Sequence, residues 1–245
     1  VPRAGLVYRY TDELSFYGSY TESFKPNSTI APLSGSSTVL DGSVAPEEAK
    51  SWEIGAKLDM PGRITGNVAL FDIKKRNVLV ANSEGPVTLY SAAGEVRSRG
   101  LEVDVSGQLS DRWSLIGSYA YTDAEVTEDP TYKGKALQNV AKNSGSLSAV
   151  YDFGALIGGD QLRVGAGARY VGERAGNAVN DFDLPSYTVA DAFATYETRL
   201  EGQKVKFQLN VKNLFDRTYY TSAASRFFVS MGDSRQVTLS STLEF

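Results

Sequence analysis

The residues best equipped to capture something in this chain are rings rather than acids or bases. Within 216–233 stand Tyr219, Tyr220, Arg226, Phe227 and Phe228, and two other long connections add Phe182 and Tyr132. Aromatic walls with a few convergent polar groups make a site for a bulky ligand. A guanidinium among them adds a bidentate grip on anions. Phe227-Phe228 leads the set, because two adjacent rings in a loop need a partner or a lid function. For every member, packing within its own loop or a place in an interfacial girdle is the competing reading.

Catalysis has little to work with. The 245 residues include no cysteine and no histidine. That removes the disulfide, the thiolate nucleophile, the zinc–cysteine site, the usual general base and the commonest transition-metal ligand. The expectation is a protein without enzymatic activity, cofactor or metal centre. Glu47-Glu48 and Asp181/Asp183 imitate paired acids but fall in predicted loops, where solvated charge is the default. Gly165-Ala166-Gly167 is no phosphate loop, since no helix follows; its glycines read as inward strand positions beside Arg169. Asn27-Ser28-Thr29 matches a glycosylation acceptor in form and is discounted. A net charge of −4 with 25 scattered basic residues gives no footprint for nucleic acid.

The elements that must position the rings are strands. The last segment, 235–245, puts Val237, Leu239, Leu243 and Phe245 on one face and Gln236, Thr238, Ser240, Thr242 and Glu244 on the other. The same period-2 alternation recurs along the chain, and helical spacing is sustained nowhere. Strands are predicted over 1–10, 14–23, 50–60, 64–80, 92–109, 113–125, 141–153, 161–173, 186–198, 204–215 and 234–245. In 64–80, Val68 and Leu70 fall opposite Phe71 and Ile73, and a bulge would reconcile them.

Short and long connections alternate throughout. The short ones are near 11–13, 61–63, 110–112, 154–160 and 199–203; the long ones are 24–49, 81–91, 126–140, 174–185 and 216–233. In an up-and-down antiparallel sheet this gathers the tight turns at one end and the long loops at the other. The second face carries Glu53, Lys57, Glu102, Asp104, Lys206, Gln208, Asn210 and Lys212, which a soluble sandwich core would not tolerate. A barrel with lipid outside and a wet lumen explains both faces. Trp52, Trp113, Tyr119, Tyr121, Tyr170, Tyr196, Tyr219 and Tyr220 lie near strand ends, as girdles require. Lumen charges such as Glu102, Asp104 and Arg169 are expected in ion-pair ladders or against whatever fills the lumen. Eleven strands are an odd number, and a lipid-exposed edge is forbidden. The expectation is therefore an incomplete transmembrane β-barrel, one domain over 1–245, whose missing part precedes Val1.

Eight strings in this order carry a resemblance: GLVYRYTDELSFYGSYTESF, PEEAKSWEIGAK, FDIKKRNV, RSRGLEVDVSGQLSDRWSLIGSYAYTDA, ARYVGERAGN, LPSYTVADAFATY, LNVKNLFDRTYY and GDSRQVTLSSTLEF. Together they resemble the C-terminal half of a TonB-dependent outer-membrane receptor of the ferric-siderophore type, which includes the ferrichrome receptors. The resemblance implies a barrel of roughly 22 strands filled by an N-terminal plug. The plug and the TonB box are expected outside this chain. It implies a ferric siderophore bound at extracellular loops and plug apices, then imported with energy from the TonB-ExbB-ExbD complex. The C-terminus would be periplasmic. Asn213-Leu214-Phe215-Asp216 reads first as a strand end that opens a loop. Phe245 resembles the signal read by the barrel assembly machinery, and would also serve as a last lipid-facing residue.

Rival readings are a receptor for cobalamin, haem or sugars, a passive porin, an outer-membrane hydrolase and a surface adhesin or phage-docking protein. The missing histidine argues against haem capture and against the hydrolase.

Overall fold

The computed structural model describes residues 1–26, 38–40, 45–84 and 87–244. In chain order the strands are β1 (Arg3–Arg9), β2 (Leu14–Lys25), β3 (Thr38–Leu40), β4 (Glu47–Asp59), β5 (Ile64–Glu84), β6 (Val87–Gln108), β7 (Trp113–Glu128) and β8 (Asn143–Ala155). They continue with β9 (Gln161–Val171), β10 (Arg174–Ala175), β11 (Asp183–Leu184), β12 (Tyr187–Leu200), β13 (Gln203–Lys212), β14 (Tyr220–Ser225), β15 (Phe228–Met231) and β16 (Gln236–Glu244). Eleven of them form one antiparallel sheet in the order β1-β2-β4-β5-β6-β7-β8-β9-β12-β13-β16. Each lies beside its neighbour in sequence, and β1 and β16 are the two edges. The all-β, up-and-down expectation holds.

Register fixes the faces. Directly opposed residues share a face, so one row runs Leu6, Gly18, Ile54, Leu70, Leu101 and Tyr121. A parallel row runs Gly117, Leu147, Ala168 and Ala190, and Val211 pairs Val237 on the same face. Large apolar side chains on it are open: Leu6 is 74% exposed, Ile54 61% and Leu239 71%. An apolar face this exposed, interrupted in β16 by Ser241, suits lipid and not water. Near its ends stand rings: Tyr20 packs on Trp52 with centroids 4.4 Å apart, and Trp113 on Tyr151 at 4.9 Å.

The opposite face is wet. Along it Arg163 bonds Asp152 at 2.9 Å, and Glu197 lies 3.4 Å from Lys204 and 3.8 Å from Lys206. Ion-pair ladders are thus present, but no ion pair among the described residues includes Glu102, Asp104 or Arg169. Gly165, Gly167 and Arg169 face the same side as expected, since they pair Phe193, Asp191 and Val189.

Three expectations need correction. The proposed bulge between Leu70 and Phe71 does not exist: β5 pairs β4 without a break from Thr65 to Arg76. Phe71 instead turns to the wet face and lies over Gly100, where an added Cβ would come within 2.9 Å of its ring and 1.9 Å of the Tyr121 carbonyl oxygen. The ring is housed by a missing side chain on the next strand. Second, 81–84 and 87–91 are strand rather than loop. β5 and β6 continue pairing past register shifts at Lys75/Val78 and Val78/Leu79 to Glu84 and Val87, because a ladder can run on beyond the bilayer as a free ribbon. β3 adds to β6 in parallel there, Thr38 opposite Thr88. Third, Glu47 and Glu48 lie in β4 rather than a loop, and Glu47 is buried with Lys75 Nζ at 2.6 Å.

Candidate functional site

A packed cluster lies where the ends of β9 and β12 meet the last long connection. Tyr187, Val189 and Tyr219 form a buried cluster with Val171 against it. Leu184, Ala175 and Ala223 are buried nearby. Around this cluster, residues between β7 and β8, between β9 and β12, and between β13 and β16 are knitted into one cap.

The last connection is closed at its base by Asn213, which is 2% exposed. Its Nδ2 donates to the carbonyls of Arg217 and Asp233, both at 2.9 Å, and its Oδ1 accepts the Arg217 N–H at 2.9 Å. Its own N–H donates to Asp191 Oδ1 at 2.8 Å. Asn213 and Asp216 take the positive φ angles of 47° and 51° that let the strand turn out, conformations that Asn and Asp tolerate best among residues with a side chain. Asp216 Oδ1 then accepts the Arg235 N–H at 2.8 Å. Asn213-Leu214-Phe215-Asp216 is a strand terminator, as read from sequence, and also the clasp of the loop.

Above the clasp, β14 and β15 form a separate hairpin. Neighbouring loops hold its root. Arg174, 4% exposed, donates to the Tyr220 and Thr221 carbonyls at 2.6 and 3.0 Å. Its guanidinium lies 5.5 Å from the Tyr187 ring centroid. Gln138 Nε2 donates to the carbonyls of Ala223 at 2.6 Å and Gly176 at 3.1 Å. Asn139 exchanges two bonds with the Ala223 peptide, and Asn180 exchanges two with the Ala136 peptide. Side-chain amides thus satisfy backbone groups that no sheet ladder reaches.

The seven predicted ligand residues divide. Phe227 and Phe228 stand at the hairpin tip, 91% and 73% exposed. Arg226 beside them reaches across to the β9–β12 connection, donating to the Asp181 carbonyl at 2.6 Å with its guanidinium 5.6 Å from the Phe182 ring centroid. These four form one neighbourhood. Tyr219 is elsewhere: 8% exposed, it packs on Tyr187 at 4.7 Å and against Gly232, away from the hairpin tip and from a girdle position. Tyr220 is half-buried and contributes its carbonyl to Arg174. Tyr132 is half-buried in a turn organised by Asp129, whose Oδ1 accepts the Thr131 and Tyr132 N–H groups at 2.7 and 2.8 Å. Sequence reading missed Arg174, Gln138, Asn139 and Asn180. A polar residue with no place in an alternating pattern was the available signal. Phe245 and Asn27-Ser28-Thr29 lie outside the described residues.

Among the described residues no group of three or more acids could hold a metal ion. What the arrangement offers is non-covalent capture: exposed rings and one guanidinium on a rigid root.

Residues 1–214 match the family described as TonB dependent receptor-like, beta-barrel. The chain is 41% identical over 249 residues to the metal-pseudopaline receptor CntO of Pseudomonas aeruginosa, covering 100% of this chain and 33% of that protein. It is 38% identical over 251 residues to the ferrichrome outer membrane transporter/phage receptor of Escherichia coli, covering 99% of this chain and 32% of that one. The solved siderophore receptor PiuA from Acinetobacter baumannii superposes with a TM-score of 0.84 at 28% identity, covering 98% of this chain and 35% of its own. The chain spans about a third of the length of these curated relatives. Its exposed apolar face is thus the lipid face of an outer-membrane barrel, and its wet face lines the lumen. The chain belongs to the TonB-dependent receptor β-barrel family and forms part of such a barrel.

Proposed function

We propose that the protein carrying this chain binds a ferric siderophore at its long-loop end and imports it into the periplasm with TonB-coupled energy. The observation that carries this reading is the loop cap itself. Three connections distant in sequence are fastened into a single body that holds Arg226, Phe227, Phe228 and Phe182 together at its outer rim. The relatives named as receptors for metal-pseudopaline and ferrichrome support the same class of cargo.

In this reading the long loops are extracellular, and the short turns and C-terminus are periplasmic. Coupling to TonB-ExbB-ExbD runs through a plug and box supplied from outside this chain, and Phe245 serves the insertion machinery. The ferric chelate is cargo rather than cofactor, and the protein performs transport without chemistry. Growth under iron limitation on a panel of defined ferric siderophores tests the proposal. Deleting the gene should abolish growth on at least one siderophore, and unchanged growth on all of them would reject it.

A further inference from the structure

The β14–β15 hairpin is fastened in two unequal ways. Its root is held by buried Arg174, half-buried Gln138 and exposed Asn139, which reach the Tyr220, Thr221 and Ala223 carbonyls. Its tip crosses to the neighbouring connection through Arg226. There Nη2 donates to the Asp181 carbonyl at 2.6 Å and lies 3.4 Å from Asp181 Oδ2. The Arg226 and Asp181 side chains are 58% and 48% exposed, and exposed ion pairs contribute little. The root is firm and the tip is weakly held.

The far side of this contact is bonded within its own connection. Asn177 Nδ2 donates to Asp181 Oδ1 at 2.6 Å, and the Asp181 N–H returns a bond to Asn177 Oδ1 at 3.3 Å. The Phe182 ring lies flat on Gly176, where any Cβ would come within 2.1 Å of it. When the contact opens, the hairpin tip moves and the Asp181–Phe182 wall stays.

Resting on the receptor reading above, we propose that the β14–β15 hairpin is a lid latched by Arg226 on Asp181, and that an anionic ferric chelate releases it by replacing Asp181. In the latched position the guanidinium stands beside Phe182, and Phe227 and Phe228 follow it in sequence. A planar fork among aromatic faces matches a carboxylate or ionised phenolate on a rigid chelate. In the empty receptor Asp181 plays the part of the ligand's anion. A neutral chelate has nothing with which to displace it.

The test uses the full-length receptor. A nitroxide on Phe227→Cys, in a chain with no native cysteine, reports tip mobility without ligand. Asp181→Asn and Arg226→Gln should each raise that mobility, while a label at Lys133→Cys in the β7–β8 connection should not change. Binding is then measured without labels for a carboxylate-type ferric chelate and for a neutral tris-hydroxamate one. Asp181→Asn should tighten the anionic chelate severalfold, and Arg226→Gln should weaken it about tenfold; the neutral chelate should respond to neither. Unchanged mobility in both variants overturns the latch. Equal effects on both chelates overturn the anion preference. A released latch with no ferric chelate bound at all rejects the receptor reading, and with it the ligand half of this proposal.

Discussion

The Asn139 carboxamide and the Ala223 peptide exchange two hydrogen bonds across 84 residues of chain, Nδ2 to the carbonyl oxygen and N–H to Oδ1, each at 2.9 Å. The side chain completes for β14 the pattern that a neighbouring strand would otherwise supply. It thereby joins a loop from the middle of the sheet to the loop before its last strand.

Replacing Asn139 with Ala leaves both Ala223 groups without partners in a half-buried setting. The expected cost to the cap is about 1–3 kcal/mol. Hydrogen exchange should show faster amides in β14 and β15 and unchanged amides in β5 through β7. Equal acceleration everywhere would mean that the cap and the barrel are one cooperative unit.

Arg174 should matter more. Arg174→Met keeps the bulk but strips donors from the Tyr220 and Thr221 carbonyls. Bonds to a charged donor are worth about 1.5–3 kcal/mol each. Limited proteolysis of the folded receptor should begin to cut within 217–233, while the barrel stays intact. Arg174→Lys should rescue only partly, because one ammonium cannot reproduce the fork.

Leu70 and Phe71 test the register directly, being adjacent in sequence and on opposite faces of β5. Leu70→Arg puts a charge on the lipid face and should cost about 2–4 kcal/mol if it sits near the bilayer midplane. Phe71→Gln, turned to the lumen, should cost less, losing chiefly the cover over Gly100. Unfolding in lipid vesicles separates them; equal losses would contradict the face assignment.

Asp160, in the short turn before β9, has its carboxyl held below the usual carboxylate range, first by the Tyr196 hydroxyl and then by Thr198. A depressed folded pKa means the contact stabilises the fold above the ordinary carboxylate value and is lost as pH falls through the lowered one. Tyr196→Phe should move the Asp160 midpoint upward, toward that of a free carboxylate, in a carbon-detected titration. No movement would remove Tyr196 as the cause.

Much of this was legible because β-barrels write their faces into a period of 2. The eleven strands, the alternating connections and the apolar rows through Ile54, Leu70 and Leu101 follow from alternation alone. Phe71 misled because period-2 reasoning equates a large ring with the lipid face, and the glycine that houses it lies 29 positions away on another strand. The 81–91 segment misled because composition does not show where the bilayer ends along a ladder that continues. At the candidate site, the exposed rings of Phe227 and Phe228 were visible as a type of residue in a type of place. Tyr219 looked identical to them in sequence, and only its packing on Tyr187 and Gly232 sets it apart. Arg174, Gln138 and Asn139 were missed because their partners are backbone groups, which leave no mark in a sequence; their lack of a place in the alternation was the one hint.

In the proposed receptor the loop cap presents Phe227 and Phe228 to a ferric siderophore. Quenching of the intrinsic fluorescence of the purified full-length receptor, titrated with a panel of ferric siderophores, tests it most directly. Saturable quenching by at least one of them is expected, with affinity falling about tenfold or more in Phe227→Ala/Phe228→Ala. Affinity that stays the same for every siderophore in that variant would contradict it.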